Sequence, residues 1–149
     1  SHARVRSTTR FSDRSGQPRP PESLQRRLRS LGRSDVAVGG VLGAKHYVPD
    51  LDIVGLPRLD LTVQSRDARA DLSFMERLDP ALRPAEDRDE AVALAVHFVH
   101  RPEPLFVRAP DKTFWADPVE CLLDLHEARL EPQALEFLHH FEDLRKTTR

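Results

Sequence analysis

One cysteine, one methionine, one tryptophan and one tyrosine stand among 149 residues. A lone Cys121 excludes an intramolecular disulfide framework and fits a reducing compartment, where a single thiol is ordinarily a small apolar core residue. No apolar run approaches the roughly 18–20 residues needed to cross a bilayer, and the N-terminus has no hydrophobic signal core. Complete catalytic signatures are missing as well. There is no Gly-x-Ser-x-Gly elbow and no phosphate loop. His97, His100, His126, His139 and His140 show none of the tight spacing that zinc needs, Cys121 has no thiol partner, and Glu136 and His140 read as a solvated helix pair. These absences predict a cytoplasmic protein with no catalytic residue, no metal site and no cofactor.

Charge is present in quantity and is unevenly placed. The first 33 residues hold nine arginines against Asp13 and Glu22, a charge of +7, and the rest of the chain carries −8, so the total of −1 hides a polarised molecule. A basic segment on an acidic body is an electrostatic footprint for a polyanion, with nucleic acid the first partner to consider. Twenty of the 23 basic residues are arginine, whose planar fork makes two hydrogen bonds to a phosphate at once.

Length and a 39% hydrophobic content allow one domain with a real core. The chain opens Ser1-His2-Ala3 without a Met, as a fragment of something longer would. Residues 1–21 are polar, with Gly16, Pro18, Pro20 and Pro21 and only Val5 and Phe11 as larger apolar anchors, and read as a flexible basic arm or linker ahead of a single domain over 22–149. Leu24, Leu28 and Leu31 recur at helical spacing, with Arg26, Arg29 and Arg33 opposite them. After Val36-Ala37-Val38, the small-residue stretch Gly39 to Tyr47 predicts a closely packed helix ended by Pro49. Arg58 to Gln64 alternates, with Leu59, Leu61 and Val63 on one side, as in a half-buried strand. Asp71 to Leu78 reads as a short helix, Arg83 to Glu90 as a surface loop, and Ala91 to Val99 as a strand in a hairpin with Leu105 to Arg108. Asp117-Pro118-Val119-Glu120 starts a helix whose apolar face is Val119, Leu122, Leu123 and His126, widened by Cys121 and Leu125. Glu131-Pro132 starts a second, facing inward through Ala134, Phe137, Leu138, Phe141 and Leu144. The predicted fold is α+β: a small sheet covered by helices and closing with two antiparallel C-terminal helices.

The segment Trp115-Ala116-Asp117-Pro118-Val119-Glu120-Cys121-Leu122-Leu123-Asp124-Leu125, followed by Arg129-Leu130-Glu131-Pro132-Gln133-Ala134, resembles the C-terminal part of AbiE-type antitoxins, the regulators of abortive-infection toxin–antitoxin pairs. The resemblance runs over about Val36 to Leu144 and includes the small-residue helix. It implies a bacterial, non-enzymatic transcriptional regulator that binds operator DNA, usually through a winged helix-turn-helix ahead of this domain, and that meets a cognate toxin. On this reading Arg4, Arg6, Arg10 and Arg14 follow the DNA backbone from the arm, and Arg26, Arg29 and Arg33 contact phosphates from one helix face. Such contacts position a protein without reading bases.

A rival reading starts at Gly39-Gly40 and reaches Asp50-Leu51-Asp52, a spacing like the entry motif of minimal nucleotidyltransferases. A glycine turn lets triphosphate approach backbone amides, and alternate residues of a strand aim two carboxylates at the same Mg²⁺ ions. Asp60 is the candidate third acid. A protein-interaction domain without DNA affinity is the third class.

Overall fold

The computed structural model describes residues 6–15, 20–52, 58–65, 72–87, 90–101 and 105–147. Among these residues, seven strands and five helices build an α+β fold. In chain order they are β1 (Arg6–Asp13), α1 (Pro21–Leu31), β2 (Val36–Val38), α2 (Gly40–Tyr47), β3 (Leu59–Ser65), α3 (Phe74–Leu78), β4 (Leu82–Pro84), β5 (Leu94–His100), β6 (Val107–Arg108), β7 (Phe114–Trp115), α4 (Pro118–Glu127) and α5 (Glu131–Thr147). The strands form one mixed sheet in the order β4-β1-β5-β3-β2-β7-β6. Its centre is the parallel pair β3 and β5, in register from Leu59 opposite Leu94 to Ser65 opposite His100.

Helices cover both faces. On one side Leu24 and Leu28 of α1 and Phe74, Met75 and Leu78 of α3 pack on Leu59, Leu61 and Val63 of β3 and Leu94, Val96 and Phe98 of β5. On the other, α2, α4 and α5 contribute Val41, Ala44, Cys121, Leu125, Ala134 and Phe137. α1 opens on Pro21, whose missing N–H costs nothing at a helix start, and closes on Gly32 in the left-handed region at φ 65°. In α2, a Cβ on Gly43 would stand 2.6 Å from Cys121 Sγ, so the missing side chain lets α2 and α4 meet closely and uses Cys121 as packing.

Several sequence expectations are corrected. Residues 6–13 are not an arm: β1 lies inside the sheet, between β4 and β5, with Arg6 opposite Val99 and Phe11 opposite Leu94, and Phe11 is buried. Two large apolar residues are few for a packed segment, but ladder hydrogen bonds on both sides and the polar contacts below hold the strand. The rest of the expected arm, residues 1–5 and 16–19, lies outside the described residues. β3 is buried on both faces from Leu59 to Gln64, because the start of α2, with α4 packed on it, covers the side that alternation assigns to solvent. β5 does not pair with the 105–108 segment. It pairs with β1 and β3, while β6 pairs with β7. Leu82–Pro84, at the start of the expected loop, is strand β4 on β1.

The placement of β1 makes a direct prediction. Phe11→Ala should lower the stability measured by urea unfolding by about 3 kcal/mol, as truncation of a buried aromatic does. A change below about 0.5 kcal/mol would return the segment to the status of a loose arm.

Candidate functional site

The most unusual feature of this core is that its middle is ionic. The buried side of α4 is formed by Glu120, Cys121, Asp124 and Leu125; of the expected apolar face, Cys121 and Leu125 are buried and Leu122 packs at the margin, whereas Val119 is half exposed and His126 exposed. Glu120, Asp124 and Glu127 recur at i, i+4 and i+7 and so share one helix face. That face lies over the sheet where Arg6 and Thr8 of β1, Asp60 and Thr62 of β3 and His97 of β5 project. These residues alternate with the apolar ones that face α1 and α3, as strand geometry requires.

Arg6 binds three carboxylates of α4: Glu120 at 2.6 Å, Asp124, and Glu127 at 3.4 Å. His97, fully buried, places Nε2 2.6 Å from Asp60 Oδ2 and 3.4 Å from Asp124 Oδ1, and Nδ1 2.9 Å from Glu127 Oε2. Thr8 donates to Glu127 at 2.9 Å. Arg58 grips Asp60 through Nε and Nη2 at 3.1 and 3.2 Å, and Arg101 reaches Asp117 and Glu120. With carboxylates at both ring nitrogens, the His97 imidazole donates from both and is held as the imidazolium. Burial opposes that charge, but the hydrogen bonds to Asp60 and Glu127 outweigh it and raise the pKa to about 9. The same bond to His97 draws Glu127 down to about 2. Burial pushes Asp124 up against the pull of His97 and Arg6.

The Gly39-Gly40 pair exists to admit these acids. Gly40 adopts φ 58°, a conformation glycine tolerates without strain, and its N–H donates to Asp124 Oδ2 at 2.7 Å. A Cβ on Gly39 would lie 2.5 Å from that oxygen, and one on Gly40 2.6 Å from Asp60 Cβ. The start of α2, where an incoming anion would find free amides and a favourable dipole, is thus occupied by the protein's own carboxylate. Thr62, buried beside it, has no hydrogen-bond partner for Oγ1 among the described residues.

Ligand atoms of Asp60, His97 and Asp124 all lie within 4.8 Å of one another. One imidazole and two carboxylates suit a borderline divalent ion, which would have to displace the proton that Asp60 and Glu127 hold on the ring. Spacing rules miss this cluster because its members come from three separate elements. Asp50 and Asp52, the rival pair, are exposed and follow the C-terminal end of α2. An eight-residue helix is about 12 Å long, so they stand at the opposite end from Gly39-Gly40 and share no ion with that turn. Asp60, the candidate third acid, is the one that reaches it.

The predicted basic residues divide. Arg4 lies outside the described residues. Arg6 is spent on the buried acids, Arg14 pairs with Glu90 at 2.8 Å, and Arg10 and Arg26 are exposed. Arg29 meets Asp111 at 2.8 Å and Arg33 meets Asp35 at 2.7 Å. Arg29 and Arg33 also line an open cleft of about 210 Å³ beside the C-terminal end of α1, with Arg108 and Lys112 from the β6–β7 hairpin on its other side and Leu28, Val36, Val38 and Phe114 among its apolar lining. Sequence reading gives no weight to Arg108 or Lys112, which lie far from the basic N-terminal segment.

The ionic centre predicts how stability depends on pH. His97, raised in the folded state, contributes stability fully below its ordinary value of 6.5 and loses it as pH rises through about 9. Asp124, raised from 3.8 to about 6, loses its contribution as pH rises through that interval, before the His97 limb begins. Glu127 contributes above its ordinary 4.5 and loses that as pH falls through about 2. The urea midpoint should therefore fall as pH rises from about 6.5 through about 9, and His97→Gln should flatten that limb. An alkaline limb unchanged in the variant would show that His97 is not its source.

No protein-family model, curated protein or solved structure matches the chain.

Proposed function

We propose that this chain is a non-enzymatic regulatory domain that associates with DNA through phosphate contacts around the cleft between α1 and the β6–β7 hairpin. The observation that carries this reading is the convergence of Arg29, Arg33, Arg108 and Lys112 from two separate elements on one open cleft. Among the described residues, Arg29 pairs with Asp111 and Arg33 with Asp35. Arg26, exposed on α1, extends the same helix toward a duplex backbone. The surface is smaller than the polarised sequence implies, because Arg6 is turned inward to the buried acids and Arg14, though exposed, is paired with Glu90.

The buried polar centre supports the non-enzymatic part. A transferase turns its carboxylates toward metal and triphosphate; here Asp60 is engaged by Arg58 and His97, and Asp124 by Arg6, His97 and the Gly40 amide. Electrostatic association without base reading is also what the AbiE-type resemblance leaves to this part of such a regulator. A cognate toxin would find apolar surface at Leu135 and Leu138, exposed three residues apart on α5.

Arg26→Ala, Arg29→Ala and Lys112→Ala together should weaken retention of unrelated duplexes. For every phosphate that the variant no longer neutralises, the slope of log affinity against log salt should become shallower by about 0.9. Unchanged binding at low salt would remove the assignment, as would nucleotide transfer by the protein that Asp52→Asn abolishes.

A further inference from the structure

Phosphate contact explains the rim of the α1/hairpin cleft but not its interior. Beside Arg29, Arg108 and Lys112 the wall includes the apolar Leu28, Val36 and Val38 and the half-exposed Phe114, which also packs on the α2–α4–α5 core. A surface that met only the backbone of a duplex would gain nothing from such a wall, since sugar and phosphate are polar. Arg108 already lies over the Phe114 ring, its guanidinium carbon 6.0 Å from the centroid, so the approach to that face admits a flat, delocalised group. Arg108 is itself exposed and can move aside or stack on the far side of an inserted plane.

From this we infer that the cleft takes one unpaired nucleotide of a single strand, its base against Phe114 and its phosphates on Arg29, Arg108 and Lys112. The cleft, about 210 Å³ and open to solvent, is large enough to admit one base. Stacking on an aromatic ring tolerates any base, because every base has a π-face, and guanidinium groups add cation–π attraction and phosphate pairing at once. The inference rests on the proposed DNA association and adds that a strand end, bubble or unwound segment is preferred to closed duplex. Asp35 and Asp111 stay on their arginines at the margin and keep the cleft from being indiscriminately basic.

The test is fluorescence anisotropy of the full chain at low salt with a short single strand, the same strand carrying abasic sites, and the matching duplex. The base-bearing strand should bind about tenfold more tightly than the abasic one, on the scale of one stacking contact. Phe114→Leu should erase that ratio and leave duplex affinity unchanged, whereas Phe114→Trp should keep it. Equal affinity of the unaltered protein for base-bearing and abasic strands, with duplex still retained, overturns the inference and leaves the phosphate reading standing. Absence of all DNA binding overturns both. Displacement of the strand by free deoxyadenosine monophosphate at matched concentration would make the occupant a free nucleotide and overturn the assignment to a strand.

Discussion

Everything in this fold turns on how buried carboxylates and their cations share the space between the sheet and α4. Arg6 and His97 come from neighbouring strands and meet Glu120, Asp124 and Glu127 from one helix face, with Asp60 completing the set from below. Ions buried this way are costly unless every one is paired and hydrogen-bonded. The cost of leaving any one unpaired is what fixes the register of β1 and the rotation of α4: a one-residue slip of the strand would carry Arg6 to the opposite face of the sheet. The arrangement also explains Gly39 and Gly40, whose missing side chains make room for Asp124 and Asp60.

That the chain folds as α+β and ends in two helices is legible in its sequence, and so are α1, α2 and α5. Leucines at helical spacing, proline starts and a glycine stop are local signals, and local physics decides them. The departures share one cause. Hydrophobic pattern reading treats charge as a mark of solvent, and in this protein charge is inside. Pattern alone makes β1 an arm because Arg6 and Arg10 accompany so few apolar residues. It rotates the face of α4 toward Val119 and His126 because it assigns Glu120 and Asp124 to water, and it gives β3 one exposed side because Asp60, Thr62 and Gln64 are polar. The sequence does hold one usable hint, the i, i+4, i+7 spacing of Glu120, Asp124 and Glu127, which is as regular as any apolar stripe.

The same ionic centre shapes the functional reading. A glycine turn beside an acid-bearing strand is the skeleton of a nucleotide-handling site, and the sequence suggests as much, though with Asp50 and Asp52 in place of Asp60. In the folded chain the place where a phosphate would meet the α2 amides holds Asp124, and the acids that would face metal face Arg6, Arg58 and His97. With the acids of the centre paired from within, Arg29, Arg33, Arg108 and Lys112 are left to line the cleft between α1 and the β6–β7 hairpin. The proposed association with DNA is therefore a consequence of which arginines the core consumes and which it leaves.

His97 is an internal cation at neutral pH, and nitrogen-15 spectroscopy of its ring reads this directly. At about pH 7.5, more than a unit below the value of about 9 that its carboxylate partners impose, both ring nitrogens should show the shifts of protonated imidazolium. A single neutral tautomer at that pH would contradict the account.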